Sequence, residues 1–139
     1  MMKLELGSLV KAIAALDRSI VEVAAKRDTL SPALQATVQA GIIQNFEVAY
    51  EQSWKMMKRW IESNVSAEAA DGVTRRELFR QAVEARLITD VELWMGFHAA
   101  RNESAHTYDS ATAAHVFQDA GRFLAEAKRF LESIKARND

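Results

Sequence analysis

The sequence predicts an all-α protein, and three observations carry that prediction. The 139 residues include one proline and five glycines, so few positions interrupt a helix. Apolar residues recur at steps of three and four, the period of an amphipathic helix, and no segment alternates like a half-buried strand. Hydrophobic residues make up 49% of the chain, which is ordinary for a globular protein. We expect one domain over residues 1–139.

The first half of the chain predicts two long helices, the first from about Lys3 to Asp28 and the second from about Pro32 to Asn64. Ser31 is a natural N-cap, and Pro32 suits the first helical position. At about 1.5 Å per residue the second helix would span roughly 45 Å, which favours an elongated bundle or a dimer. The expected apolar stripes are Leu6, Leu9, Ile13, Leu16 and Ile20, then Leu34, Val38, Ile42, Phe46, Ala49, Ser53, Met57 and Ile61.

The second half predicts one short helix and two longer ones. After a loop over residues 65–73, Thr74 and Glu77 form a capping-box pattern at the start of a helix that runs from Arg75 to about Arg86. Thr89 and Glu92 repeat that pattern before a helix from Asp90 to about Ala105, and Asp109 or Ser110 caps the last helix. Its core face is Ala113, Phe117, Phe123 or Leu124, Phe130 and Ile134. The whole is an antiparallel up-and-down four-helix bundle with one extra short helix.

Composition excludes several classes of function. A net charge of −1 is too low for a general DNA-coating protein, and the absence of cysteine excludes disulfides and thiolate metal sites. No apolar run reaches the roughly 20 residues that cross a bilayer, and the N-terminus lacks a signal-peptide core. Three histidines are scattered, and no glycine-rich phosphate loop occurs. We therefore expect a cytoplasmic protein that needs no metal and no cofactor and binds neither membrane nor DNA.

The chemistry concentrates in the pattern Arg-x4-His-x-Tyr near the end of the fourth helix, formed by Arg101, His106 and Tyr108. Arginine can clamp phosphate oxygens, and histidine can transfer a proton near neutral pH. These residues suit metal-free RNA cleavage, in which a ribose 2′-hydroxyl attacks the adjacent phosphorus. His106 would be general acid or base, Arg101 would stabilise the charged phosphate, Asn102 would support them, and Tyr108 would position RNA or carry a modification.

The spacing of the motif raises a geometric problem. On an ideal helix, Arg101 and His106 lie about 140° apart, so they would not converge within one chain. Either the helix end unwinds, or a second copy completes the site in a symmetric dimer.

Each of these residues also has a purely structural interpretation. Arg101 can pair with an acid, His106 can end a helix at the favourable pole of its dipole, and Tyr108 can pack. His98, one turn before Arg101, is a structural or interfacial residue more often than a catalytic one. The aromatic residues Phe46, Tyr50, Trp54 and Trp60 form core or dimer contacts more often than a base-stacking platform.

At this point the chain resembles the HEPN proteins, and within them the nucleotidyltransferase substrate-binding proteins. The resemblance rests on the segment from Phe46 to Lys55, on Arg76 to Ala82 followed by Leu87, Ile88 and Trp94, and on the motif from Arg101 to Tyr108. It covers the chain from about Leu4 to Leu131.

The resemblance implies a dimeric bundle encoded beside a minimal nucleotidyltransferase, and two views of that pair. In the first, the chain is the toxin of an MNT–HEPN toxin–antitoxin pair, a metal-independent ribonuclease whose substrate is RNA, tRNA included. Its catalytic residues would be Arg101 and His106 with Asn102, and the partner would neutralise it, in some pairs by adding AMP to Tyr108. In the second, it is a non-catalytic subunit that binds nucleotide or substrate for the partner. In both views His98 has at most a supporting role.

Overall fold

The computed structural model describes residues 3–138, and within them all regular structure is helical. Two short 3-10 turns, Arg27–Thr29 and Ser104–His106, accompany the helices. The five helices are α1 (Gly7–Lys26), α2 (Pro32–Asn64), α3 (Arg75–Glu84), α4 (Val91–Glu103) and α5 (Ser110–Ala136). Helices α1, α2, α4 and α5 form the bundle, and α3 packs on α2 and α4. The predicted fold class, four bundle helices with one extra short helix, is confirmed.

Local sequence chemistry explains most helix starts. The Ser31, Thr74 and Asp109 side chains each accept a hydrogen bond from a backbone N–H in the first turn of α2, α3 and α5. These three caps confirm the prediction. The cap proposed at Thr89 is wrong, because the side chain of the next residue, Asp90, accepts from Leu93 N. Both residue types can cap a helix, and the carboxylate also complements the positive end of the helix dipole.

Several predicted boundaries differ from the structure. Helix α1 begins at Gly7 rather than Lys3 and ends at Lys26, where the chain tightens into the first 3-10 turn. Helix α3 ends at Glu84, because Arg86 adopts a left-handed conformation with φ 62°. The N–H of Leu87 then bonds to the Ala82 carbonyl at 2.9 Å, which closes the helix in the manner usually served by glycine.

The core is a continuous apolar cluster with aromatic rings at its centre. The Phe123 ring lies edge-on to four neighbours, with centroids 5.2 Å from Phe46, 5.2 Å from Phe97, 5.6 Å from Trp94 and 6.2 Å from Tyr50. Edge-to-face packing matches the charge distribution of aromatic rings. These contacts tie α2 and α4 to α5, so the middle of α4 is held firmly where it approaches the motif.

The predicted stripes are largely but not completely buried. Leu34 is wrong as a core residue, because it is 53% exposed, and the first buried residue of α2 is Ile42. The first ten residues of α2 therefore carry no fully buried side chain. Leu6, Ile20, Val38, Ala113 and Phe117 are only partly buried. The ends of the chain are joined by Asn138, whose side chain accepts from Leu4 N at 2.8 Å and donates to Leu4 O at 3.0 Å.

Candidate functional site

The motif lies across the end of α4. Arg101 occupies the last turn of the helix, His106 ends the 3-10 turn that follows, and Tyr108 lies in the short link to α5. Helix α4 therefore ends at Glu103, two residues before the predicted Ala105. The helix end does not unwind but tightens, because the 3-10 turn winds with fewer residues per turn than an α-helix.

Arg101 faces α2, where two carboxylates meet its guanidinium. Its Nη1 donates to Glu47 Oε2 at 3.0 Å and to Ser104 Oγ at 3.2 Å. Its Nε lies 3.4 Å from Glu51 Oε1, close enough for ion pairing but without the alignment of a hydrogen bond. The side chain is 33% exposed, so Arg101 is partly accessible to a ligand. The ion-pair interpretation of Arg101 is thus realised, although its partners come from another helix.

The groove beside Arg101 is open and shallow. It encloses about 370 Å³ along α2, and its lining residues are Gln44, Glu47, Val48, Glu51, Gln52 and Arg101. The lining is mostly polar, with one cation and two carboxylates. An anion would therefore have to bind the edge of the guanidinium that the carboxylates leave unoccupied.

His106 and Tyr108 are both exposed, and their rings lie edge to face with centroids 5.9 Å apart. Tyr108 is 86% exposed, which excludes its interpretation as an ordinary packing residue within the single chain. Beside it a hollow of about 270 Å³ is lined largely by small side chains of α2 and α5, among them Ala36, Ala40 and Ala114. Asn102 is also exposed and follows Arg101 on α4.

Within one chain the structure does not bring Arg101 and His106 together. Arg101 is engaged with α2, whereas His106 points to solvent, and no hydrogen bond within residues 3–138 joins them. A single copy therefore does not form a hydrogen-bonded Arg–His pair.

His98 belongs to a second polar network one turn earlier on α4. Arg75 Nη1 donates to the Tyr50 hydroxyl oxygen at 3.3 Å, and the Tyr50 hydroxyl lies 2.9 Å from His98 Nδ1. Because Tyr50 accepts from arginine, its own proton is free for His98 Nδ1, which leaves the ring hydrogen of neutral His98 on Nε2. Burial and the Arg75 charge lower the pKa of His98, and burial raises the pKa of Tyr50 to about 12.

Glu51 connects the two networks. Its Oε2 accepts from Trp54 Nε1 at 3.1 Å while its Oε1 faces Arg101. The Arg75 guanidinium stacks on the Trp54 ring at 3.6 Å from its centroid, a favourable cation–π distance. Trp54 thus serves as a platform for an arginine, and Phe46 and Tyr50 are buried in the core.

The exposed arginines of α3 are neutralised by neighbouring carboxylates. Arg76 pairs with Glu92, and Arg80 pairs with Glu77 at 2.6 Å and Glu84 at 3.2 Å. Hydrogen bonds from Arg80 and Gln81 lower the pKa of Glu77 to about 2. These arginines behave as a solvated face of mixed charge. On α2, Lys55, Lys58 and Arg59 form no ion pair within the described part of the chain.

No group of three potential metal ligands occurs among residues 3–138. In the same range no helix is both long and apolar enough to cross a membrane.

Comparisons with known proteins show the family to which this chain belongs. Residues 4–136 match the family described as nucleotidyltransferase substrate binding protein like. The chain belongs to this family. The resemblance inferred from the α2 segment and the Arg-x4-His-x-Tyr motif is therefore confirmed.

Members of the family and their structural relatives extend over the same length. The Haemophilus influenzae protein named "Probable ribonuclease HepT" is 32% identical over 139 residues, 98% of this chain and 95% of that protein. A solved Haemophilus influenzae structure, described as the substrate-binding domain of a nucleotidyltransferase, superimposes with a TM-score of 0.90. It is 30% identical and covers 94% of this chain and 99% of its own. A Thermus thermophilus structure shares the fold with a TM-score of 0.72 at 23% identity, over 91% of this chain and 98% of its own.

Three residues of the candidate site were not predicted from the sequence: Glu47, Glu51 and Ser104. Glu47 and Glu51 are four apart on α2 and so share one helix face, which was a signal available in the sequence. Their partner was not, because Arg101 is 54 positions from Glu47 along the chain. Ser104 lies inside the motif but occupies one of its unspecified positions.

Proposed function

We propose that this protein is a metal-independent endoribonuclease, the toxin of a two-component MNT–HEPN toxin–antitoxin system. The observation that supports it best is the motif itself, in a chain 32% identical to a protein named "Probable ribonuclease HepT". A partly accessible Arg101 and an exposed His106 lie at one helix end, free for a phosphate and a proton.

The proposed site is formed between two copies of the chain. Because Arg101 and His106 diverge within one copy, a symmetric dimer is the simplest arrangement that places arginines and histidines around one phosphate. The exposed helix end, with small side chains beside it, can be approached closely by a second copy.

The proposed reaction is an intramolecular displacement at phosphorus. One His106 takes the proton of the ribose 2′-hydroxyl, whose oxygen attacks phosphorus as the bond to the 5′-oxygen breaks. The His106 of the second copy donates a proton to the departing oxygen, which leaves a cyclic phosphate and a 5′-hydroxyl. Arg101 stabilises the charge that develops on the non-bridging oxygens, and Asn102 supports it.

The first test is cleavage of total RNA, including tRNA, by the purified protein in the presence of EDTA. Wild type should cleave, and His106→Ala and Arg101→Ala should each lose at least about a hundredfold in rate. Arg122→Ala and Arg129→Ala are the matched controls, because both residues are exposed and their ion-pair partners, Asp119 and Glu126, also lie outside the motif. They should cleave as wild type does. Equal activity in wild type and the two motif variants would contradict the proposal.

The proposed partner is a minimal nucleotidyltransferase encoded nearby, which neutralises the toxin by adding AMP to Tyr108. The chain has two tyrosines, and Tyr50 is fully buried whereas Tyr108 is 86% exposed. Incubation with the partner and ATP should therefore raise the intact mass by whole AMP units in wild type but not in Tyr108→Phe. Modification that persists in Tyr108→Phe would assign the site elsewhere.

A second candidate function is a non-catalytic subunit that binds nucleotide or substrate for the partner. It is favoured by the 0.90 TM-score to a structure described as the substrate-binding domain of a nucleotidyltransferase. Under this proposal the purified chain forms a stable complex with the partner and cleaves no RNA. Gel filtration of the two proteins together, followed by the cleavage assay on the complex, separates the candidates.

A further inference from the structure

The guanidinium of Arg101 is held by a closed triangle of hydrogen bonds. Its Nη1 donates to Glu47 Oε2 at 3.0 Å and to Ser104 Oγ at 3.2 Å, and Ser104 Oγ lies 2.5 Å from the same Glu47 oxygen. Three side chains from α2, from α4 and from the 3-10 turn thus meet at one point. An ion pair alone would leave the arginine free to rotate, whereas the triangle holds Nη1 at one position between α2 and the 3-10 turn.

Ser104 determines which groups donate and which accept in the triangle. Its hydroxyl lies near two acceptors, Glu47 Oε2 at 2.5 Å and the Arg101 carbonyl at 2.6 Å, but has one proton. The carboxylate is charged and closer, so it receives the proton. The serine oxygen is then free to accept from Arg101 Nη1. Ser104 is 7% exposed, so water competes poorly for these bonds.

The remaining donors of Arg101 differ in accessibility. Nε is buried and faces Glu51 without forming a hydrogen bond. Nη2 makes no hydrogen bond within residues 3–138 and is not among the buried atoms that lack a partner. The edge that carries Nη2 is therefore the part of the guanidinium left for a ligand.

We propose that Glu47, together with Ser104, is a positioning residue that presents the Nη2 edge of Arg101 to the phosphate of RNA. The inference rests on the proposed ribonuclease function. Glu47 touches no substrate in this scheme. It fixes the arginine before RNA arrives, so the rotational freedom of the side chain is not lost in the transition state.

The test compares two substitutions of Glu47 in the cleavage assay. Glu47→Gln keeps an oxygen that accepts from Ser104 and Arg101, whereas Glu47→Ala removes both bonds. We expect kcat of Glu47→Ala to fall by about tenfold to a hundredfold, because a small misplacement of a catalytic group has effects of this size. Glu47→Gln should retain most of the rate. The dependence of the rate on pH should keep its shape in both, since His106 is unchanged.

The control is Glu62→Ala, an exposed glutamate later on α2, which should cleave as wild type does. Circular dichroism of each variant verifies folding. Wild-type or faster cleavage by Glu47→Ala would overturn the inference and leave the ribonuclease intact. A loss in Glu47→Gln as large as in Glu47→Ala would also overturn it, since the carboxylate charge rather than the hydrogen bonds would then matter.

Absence of cleavage by wild type would overturn the proposed function and, with it, a catalytic use for the triangle. The triangle itself is then judged by nitrogen–proton NMR spectra of the Arg101 side chain, assigned by comparison with Arg101→Lys. Separate Nη signals in wild type that merge in Glu47→Ala support it. Averaged signals in wild type overturn it.

Discussion

Tyr50 shows how one buried hydroxyl can set the state of a neighbouring histidine. Its hydroxyl oxygen accepts from Arg75 and lies 2.9 Å from His98 Nδ1, so its own proton can be donated to the ring of neutral His98. The lowered pKa of His98 has the same origin, since burial and the Arg75 charge both disfavour a second positive charge.

This arrangement predicts a loss of stability on acidification. Because the folded-state pKa of His98 lies below its ordinary value of 6.5, the unfolded chain binds the proton first as the pH falls. The contribution of His98 to stability is therefore complete above pH 6.5 and declines between 6.5 and the folded-state pKa. Urea unfolding at about pH 7.5 and about pH 5.5 should show the decline in wild type, and His98→Asn should reduce it.

His106→Asn is the matched control for that measurement, since His106 is exposed and its ring forms no hydrogen bond within the described residues. If His98→Asn loses as much stability between the two pH values as wild type does, the assignment of the effect to His98 is wrong.

Also at the residue scale, the contrast between Arg101 and its partners shows what the sequence could and could not predict. The motif was visible because its members are close along the chain. Its partners on α2 were not, because ion pairing between helices depends on how the helices pack. The 3-10 turn after α4 was also missed.

At the scale of elements, α4 begins one residue later than its capping pattern suggests. Thr89 and Asp90 are adjacent and both suit an N-cap, but the Asp90 carboxylate is the one that accepts from Leu93 N, at 3.1 Å. The starts of α2, α3 and α5 were predicted correctly from the sequence. At α2 and α3 a single residue was proposed as the N-cap, and at α5 the proposed pair, Asp109 or Ser110, included the observed cap.

The α4 cap provides a stability prediction with its own control. Asp90→Ala should lower the free energy of unfolding by about 1 kcal/mol, because it leaves an N–H of the first turn without its partner. Thr89→Ala should change it by less than about 0.5 kcal/mol, since an exposed residue outside the cap has little effect. Urea denaturation of both variants measures the difference. A larger loss in Thr89→Ala than in Asp90→Ala would contradict the observed cap.

For the whole molecule, the periodicity of apolar residues was sufficient to predict the helical bundle and much of the core that α1, α2 and α5 contribute, but not the core residues of α4. It could not show where the bundle ends. The predicted stripe of α2 continued to Leu34, whereas burial begins at Ile42, because periodicity reports the direction of a side chain and not whether a neighbouring helix covers it.

The proposed dimer leads to a prediction that concerns two chains at once. Arg101→Ala and His106→Ala are each expected to be inactive. A mixed dimer would hold one intact arginine and one intact histidine from different copies, so one of the two proton transfers of the proposed reaction would still be catalysed. Unfolding the two variants together and refolding them should therefore restore part of the cleavage activity. The controls are each variant refolded alone. If the mixture stays as inactive as the separate variants, the site is not shared between copies in this way.

The exposure of Tyr108 has a consequence for how this protein can change over evolutionary time. Because the Tyr108 side chain is 86% exposed, it contributes little to the free energy of folding. Selection for stability therefore constrains this position only weakly. Substitutions at position 108 are therefore constrained mainly by the contacts that this side chain makes with a partner. Arg101, in contrast, is bound to α2 by two carboxylates and a serine, so a change at any of them must be matched by the others. If Tyr108 is the modification site that we propose, its regulation can thus diverge quickly between relatives while the arginine centre stays fixed.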